Sequence, residues 1–151
     1  MDIALNYIKN NKFTISSYFD EQINTLEVEI SNVNSLFIEE IGSVSLSQVD
    51  NIPYQWYITI IVEEKHQKNN LSYILLNRLM MDFKKLIESR KMDFNNLITI
   101  GIDTDASGGF WDRFMKIGRY SVDNDKRFST KMHNAGFEKD VGALSIYNLF
   151  V

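Results

Sequence analysis

The sequence predicts an α/β protein with a mixed sheet, in which an antiparallel β-meander is followed by a β-α-β unit. Apolar and polar residues alternate over Ile23–Ile30, as in a half-buried strand. The run Tyr54–Val62 is β-branched and aromatic, which is typical of a central strand covered on both faces. Apolar residues then recur at helical spacing over Leu71–Ile87, and a second apolar run follows at Leu97–Ile102.

The N-terminal half is predicted as a helical segment followed by strands. Residues 1–22 should hold a short helix with one apolar side, formed by Ile3, Leu5, Ile8 and Phe13. Residues 23–62 should form three antiparallel strands, because short turns at 32–35 and 50–53 connect them. The second of these strands is expected at Leu36–Leu46.

The second half, residues 63–151, begins with a polar loop and a long helix. The helix is expected over residues 71–90, and Asn70 is a favoured N-cap residue. After a helix of this length, Leu97–Ile102 is expected to return parallel to Tyr54–Val62. A short helix at 110–118 and a closing strand at 143–151 complete the order. With one proline and no visible linker or repeat, residues 1–151 are interpreted as a single domain.

Composition excludes several classes of function. The chain has no cysteine, so disulfides, thiolate metal sites and a cysteine nucleophile are excluded. The net charge of −4 shows none of the basic excess of a nucleic-acid-binding protein. The segment Asp103–Gly108 only partly matches a calcium loop, and no metal is predicted. No apolar stretch is long enough to span a membrane and no signal peptide is visible, so a cytoplasmic protein without a membrane partner is expected.

The loop at 63–70 is the strongest candidate for a binding site in the sequence. It follows a central strand, carries Lys65 and Lys68, and leads into a helix N-terminus. Unpaired N–H groups and the positive end of the helix dipole make such a terminus a binding site for phosphate groups. The alternative is a solvated loop without a ligand.

The same segment resembles the acetyl-CoA signature of the GCN5-related N-acetyltransferase (GNAT) superfamily. That signature is a strand ending in Val, four residues, and Q/R-x-x-G-x-G/A at the start of a helix. Here Val62 is followed by four residues and then by Gln67-x-x-Asn70-x-Ser72. Asn70 replaces the first glycine and Ser72 the second small residue. Asn tolerates positive φ better than other non-glycine residues and Ser is small, so the loop can still wrap a diphosphate.

The resemblance covers residues 23–151 and implies a GNAT-like acyl-CoA N-acyltransferase fold, with 63–151 as the CoA-binding half and acetyl-CoA as co-substrate. It implies that the backbone of Ile60, Ile61 and Val62 binds the pantetheine arm and polarises the thioester carbonyl. It also implies that backbone amides in one loop hold the diphosphate, namely those of Gln67, Lys68, Asn69, Asn70, Leu71 and Ser72.

A second family feature is a tyrosine four positions before a Gly-Phe pair, which protonates the leaving thiolate. Three registers compete: Phe110-Trp111 followed by Ile117-Gly118-Arg119-Tyr120, Phe114 before Gly118, and Met132 before Gly136-Phe137. None places a tyrosine at the expected position. The first is favoured because it keeps a helix directly after the strand. It puts Trp111 at the cofactor and leaves Tyr120, Tyr147 or Ser107 as proton donors, while core packing is the alternative role for Phe110 and Trp111.

Some members of the family use a glutamate on or near the central strand, directly or through water, to deprotonate the acceptor amine. Tyr54–Val62 contains no carboxylate, so the neighbouring Glu39 and Glu40 are the candidates. Consecutive strand residues face opposite sides of the sheet, so one of the two should lie on each face. Their alternative role is that of exposed charges on the strand.

These observations lead to an enzyme hypothesis and two rivals. The hypothesis is an N-acetyltransferase that moves an acetyl group from acetyl-CoA to a primary amine of a small molecule or a protein, by direct attack. The first rival is a catalytically inactive GNAT-fold protein that binds acyl-CoA or a protein partner. The second is an unrelated mixed α/β domain. A homodimer is left open.

Overall fold

The computed structural model of the chain describes residues 2–34, 36–93 and 97–101, together with two short strands at 120–121 and 145–146. Its longer elements, in chain order, are α1 (Asp2–Asn10), β1 (Thr14–Asp20), β2 (Thr25–Asn32), β3 (Glu39–Gln48), β4 (Gln55–Val62), α2 (Leu71–Ser89) and β5 (Ile98–Gly101). A 3₁₀ turn at Glu64–His66 lies between β4 and α2, and the short strands are β6 (Tyr120–Ser121) and β7 (Ser145–Ile146).

The strands form a mixed sheet, as the sequence predicts. The five longer strands are hydrogen-bonded in the order β1-β2-β3-β4-β5, and β6 pairs with β7. β1 to β4 are antiparallel, whereas β5 is parallel to β4, with Gln55 opposite Ile98 and Ile58 opposite Gly101. The parallel return after α2 confirms the predicted β-α-β unit.

Contacts along the chain divide it into two compact units. The first unit comprises Met1–Leu46 and Thr59–Met92, and the second comprises Ser47–Ile58 and Asp93–Val151. The loop between β4 and α2 belongs to the first unit, as do α1 and α2.

The core of the first unit lies between the sheet and α2. Alternate residues of β2 are buried, and α2 packs on this strand. The apolar stripe predicted for α2 is buried as well, apart from Leu86, which is half-buried. The buried residues of α2 are Leu71, Ile74, Leu75, Leu76, Leu79, Phe83 and Ile87.

In the second unit, a tight turn leads from β3 into β4. The backbone N–H of Val49 donates to the carbonyl of Gln55 at 2.8 Å, and that of Ile52 donates to Val49 at 3.0 Å. The indole of Trp56 is fully buried, and its Nε1–H donates to the carbonyl of Pro53 at 3.0 Å. In the amino-terminal half of β4, Trp56 and Ile58 are buried whereas Gln55 and Tyr57 are partly exposed, so the strand is half-buried there and not covered on both faces as predicted.

The N-terminal segment differs from the prediction. The helix ends at Asn10, and residues 14–20 form β1, a strand that the sequence analysis missed. β1 stands at the edge of the sheet and is largely polar, so it lacks the apolar alternation that marks a half-buried strand. The buried side of α1 also differs, because Ala4 is fully buried while Ile3 and Leu5 are 60% and 51% exposed.

The described residues contain neither a membrane-spanning helix nor a group of metal ligands. None of the helices in the described ranges has the length and apolar content needed to cross a bilayer. Within the same ranges, no three His, Asp or Glu side chains are grouped so that they could hold a metal ion.

Candidate functional site

The candidate site is the loop that leaves β4 and enters α2. The backbone N–H of Glu63 donates to the carbonyl of Ile41 at 3.0 Å, which ties the start of the loop to β3. The 3₁₀ turn follows, and its His66 N–H donates to the carbonyl of Glu63 at 2.9 Å. The loop therefore leaves the sheet in a defined direction.

Side chains within the loop hold its own backbone. Nε2 of Gln67 donates to the carbonyl of Val62 at 3.0 Å. Nδ2 of Asn69 donates to the carbonyls of His66 and Gln67, each at 3.0 Å. Three of the residues predicted to contact the coenzyme, Val62, Gln67 and Asn69, thus also shape the loop.

The backbone at Asn70 has the conformation that glycine most readily adopts. Asn70 has φ 57° and ψ 24°, in the left-handed region, and α2 begins at the next residue. Its place as N-cap is as predicted, but its side chain makes no capping hydrogen bond. Lys68 also has positive φ, at 66°. Left-handed residues alternating with others turn successive N–H groups toward one side, the arrangement that binds anions in many phosphate loops.

The electrostatics of the helix start favour an anion. The N–H groups of Leu71 and Ser72 lie in the first turn of α2, where no helical carbonyl can accept their hydrogen bonds. The first turn contains no acidic residue, so no carboxylate of the turn competes for these donors. The side chain of Lys68 is exposed, and Ser72 is partly exposed.

An apolar surface precedes the loop on β4. Ile61 is 60% exposed, and Ile60 and Val62 are partly exposed. The prediction that β4 is covered on both faces is therefore wrong for its carboxyl half as well. An apolar run indicates either a buried strand or an apolar binding surface, and periodicity alone does not separate them.

Gly42 of β3 allows this part of β4 to come close. A Cβ at position 42 would lie 3.1 Å from the carbonyl oxygen of Ile61 and 3.3 Å from Cγ2 of Val62. It would also lie 3.5 Å from Cδ1 of Leu75 in α2. The absence of a side chain at Gly42 thus lets β3, β4 and α2 pack tightly beside the loop.

Glu39, the first candidate base, is engaged by a loop lysine. Nζ of Lys65 lies 2.7 Å from Oε1 of Glu39. The hydrogen bond and the charge of Lys65 lower the pKa of Glu39, and Glu39 in turn raises the pKa of Lys65. A lowered pKa makes a carboxylate a weaker base, so this contact disfavours Glu39 as the group that accepts a proton.

Glu40, the second candidate base, is exposed at the start of β3. Neither of the ion pairs found among the described residues involves it. Glu40 lies next to Ile41, whose carbonyl accepts from the first loop residue, so it belongs to the end of the sheet from which the loop departs.

An aromatic cluster behind the loop was not foreseen. The hydroxyl of Tyr7, in α1, lies 2.7 Å from Nδ1 of His66. The ring of Phe13 meets both the Tyr7 and His66 rings edge to face. No local sequence signal indicates this contact, because Tyr7 and His66 are 59 positions apart.

Several predicted residues lie outside the described part of the chain. These are Trp111 and the other aromatic registers, the predicted helix at 110–118, and the alternative proton donors Ser107 and Tyr147. Tyr120 lies in β6, where its backbone pairs with Ile146 of β7. Its role stays a prediction.

Comparisons with known proteins support the fold and nothing finer. No protein-family model and no curated protein matches the chain. Among solved structures, the GNAT domain of S. lividans PAT is similar, with a TM-score of 0.52 and 14% sequence identity. The match covers 86% of this chain but 64% of that one, so the chain spans less than two thirds of the length of that relative. The chain therefore has a mixed α/β fold similar to that of a GNAT domain.

Proposed function

We propose that this protein is an N-acetyltransferase that takes the acetyl group of acetyl-CoA and transfers it to a primary amine. The observation that carries the proposal is the left-handed backbone of Asn70 at the start of α2. Asn70 stands where the signature has its first glycine, and its positive φ is the conformation for which a glycine is usually needed. The similarity to a GNAT domain supports the same function at the level of the fold.

The described residues fit the two chemically distinct parts of acetyl-CoA. The diphosphate would be held by N–H groups of the loop and of the first turn of α2, from Gln67 to Ser72. The pantetheine arm would lie along the backbone of Ile60, Ile61 and Val62, residues that are exposed or partly exposed. The Val62 carbonyl already accepts from Gln67, and a carbonyl oxygen has a second lone pair for a further donor.

Acetyl-CoA supplies the acetyl group as a thioester, which a neutral amine can attack directly. The new C–N bond forms as the C–S bond breaks, the nitrogen loses a proton, and the thiolate gains one. We assign the acceptance of the amine proton to Glu40, because Lys65 engages Glu39. Tyr120 remains the proposed proton donor to the thiolate, and Trp111 the proposed aromatic neighbour of the coenzyme.

The activity test measures thiol release from acetyl-CoA in the presence of a panel of primary amines, with mass spectrometry of the acetylated product. Glu40→Gln should lower kcat by about 10²-fold or more if Glu40 is the base. The loss should shrink as pH rises, because more of the amine is then neutral without help. Glu88→Gln, an exposed carboxylate on α2, is the matched control. Acetyl transfer at the wild-type rate by Glu40→Gln would remove Glu40 from the mechanism.

One observation favours a second candidate function. Glu39 is engaged by Lys65, which removes one of the two glutamates available as a base. A GNAT-fold protein that binds acyl-CoA without consuming it, and acts through a protein partner, fits this observation as well. Binding of acetyl-CoA with no thiol released for any amine would favour this second function.

A further inference from the structure

A hydrogen bond joins the loop proposed to hold the diphosphate to the N-terminal helix. The Tyr7 hydroxyl lies 2.7 Å from Nδ1 of His66, the last residue of the 3₁₀ turn. Both residues belong to the first unit. The bond therefore connects α1 to the residue that directly precedes Gln67.

The surrounding rings restrict how the imidazole can turn. The ring centroids of Phe13 and His66 are 5.4 Å apart with an interplanar angle of 89°. Those of Tyr7 and His66 are 6.0 Å apart at 65°. Edge-to-face contacts on the ring leave the hydrogen bond to Tyr7 as the polar attachment that sets its orientation.

The other ring nitrogen of His66, Nε2, is buried, and the described part of the chain offers it no hydrogen-bond partner. Loss of the Tyr7 hydroxyl would therefore leave neither ring nitrogen with a partner among the described residues, which is unfavourable for a buried polar group.

The backbone of His66 is hydrogen-bonded to residues on both sides of it in the loop. Its N–H donates to Glu63 at 2.9 Å, and its carbonyl accepts from Nδ2 of Asn69 at 3.0 Å. Asn69 precedes the left-handed Asn70. A shift of the imidazole should therefore move the loop residues whose N–H groups would face an anion.

We propose that Tyr7 is a positioning residue for the diphosphate loop and acts through Nδ1 of His66. The inference rests on the proposed binding of acetyl-CoA. It makes the N-terminal helix one of the elements that shape the proposed binding site.

The first experiment compares acetyl-CoA dissociation constants of the wild-type chain and of Tyr7→Phe by calorimetry. Tyr7→Phe should weaken binding about threefold to tenfold, as expected for one lost hydrogen bond. Tyr18→Phe is the matched control, because Tyr18 is exposed on β1, where it lies opposite Glu27 of β2. This control should bind as the wild type does. An unchanged dissociation constant in Tyr7→Phe overturns the inference.

Substitutions at His66 separate positioning from a general effect on stability. In His66→Asn, the amide stands where Nδ1 stood and can keep the bond to Tyr7, so affinity should be largely retained. In His66→Gln, the amide lies further along the side chain, so affinity should fall. The effect of Tyr7→Phe should disappear in the His66→Gln background, because the two residues act as one unit. Additive effects of the two substitutions would contradict action through His66.

Amide hydrogen exchange keeps the inference testable if the chain binds no acetyl-CoA. Absence of binding by the wild type would refute the proposed function. The positioning role of Tyr7 can still be tested in the ligand-free protein, where Tyr7→Phe should speed exchange at the amides of residues 67–72. Unchanged exchange at these amides would refute the positioning by itself.

Discussion

At the scale of single residues, the site depends on a left-handed backbone at Asn70 and on side-chain hydrogen bonds that hold the loop in shape. Asn70 adopts a left-handed conformation that a β-branched residue would strongly resist. Asn69 and Gln67 hold neighbouring carbonyls, so the loop is shaped before any ligand binds. A loop shaped in advance loses less conformational freedom on binding, which favours affinity.

The conformation of Asn70 predicts opposite effects for two substitutions. Asn70→Gly should keep acetyl-CoA affinity, because glycine adopts positive φ without strain. Asn70→Val should lower the free energy of unfolding by about 1–2 kcal/mol and weaken binding by tenfold or more. Chemical denaturation and calorimetry measure the two quantities.

The matched control is Asn51→Val, since Asn51 has φ 62° in the turn before β4. It should cost similar stability but leave acetyl-CoA affinity unchanged. Equal affinities in Asn70→Val and Asn51→Val would contradict the role of the Asn70 backbone.

The ion pair beside the loop predicts a pH dependence with a defined sign. The pKa of Glu39 is lowered, so its contribution to stability is present above the unfolded value of about 4.3 and is lost as pH falls through the folded value. The pKa of Lys65 is raised, so its contribution is present below about 10.4 and is lost as pH rises through the folded value. Both groups are exposed, so the effect on stability should be small.

Carbon NMR titration of the Glu39 carboxyl group measures this coupling. The pKa of Glu39 should rise toward the ordinary glutamate value in Lys65→Met. Lys68→Met, a change of the same kind in the same loop, should leave the pKa of Glu39 where it is in the wild type. A Glu39 pKa that does not respond to Lys65→Met would refute the pair.

At the scale of elements, long-range contacts decide what the local pattern leaves open. β4 is uncharged and mostly apolar, yet its carboxyl half is partly exposed, with Ile61 at 60%. β1 is too polar to be recognised as a strand, but its backbone pairs with β2 from Thr14 opposite Ser31 to Asp20 opposite Thr25. By contrast, α2 was predictable nearly to the residue, since its apolar stripe has the full helical period.

The end of α2 contacts the β1–β2 hairpin, of which the sequence analysis missed β1. The guanidinium of Arg90 lies 5.0 Å from the centre of the Phe19 ring, and its Nη2 donates to Oδ1 of Asn24 at 3.0 Å. Arg90→Ala should therefore lower the free energy of unfolding by about 1 kcal/mol. It should also speed amide exchange in the β1–β2 hairpin.

Arg78→Ala is the control for this prediction. Arg78 pairs with Asp82 on the same helix, 3.0 Å away, and such pairs contribute about 0.3–0.5 kcal/mol. Its loss should leave exchange in the hairpin unchanged. Equal exchange in the two variants would show that Arg90 does not fasten the hairpin.

At the scale of the whole molecule, the order of most strands and helices could be predicted from the sequence. The mixed sheet and the parallel return of β5 follow from hydrophobic period and connection length. The loop motif could be located from its spacing, because the positions of Gln67, Asn70 and Ser72 relative to Val62 are local. The Lys65–Glu39 pair and the Tyr7–His66 bond could not, because each joins residues far apart in the chain.

The most direct test of the account is thermal unfolding with and without acetyl-CoA. At about 100 times its dissociation constant, a ligand adds about 2.7 kcal/mol, which raises the Tm of a chain of this size by about 5–10 °C. The account predicts that rise with acetyl-CoA, a much smaller one with adenosine monophosphate, which lacks the diphosphate, and a reduced rise in Asn70→Val. An unchanged Tm with acetyl-CoA would contradict the proposed coenzyme site.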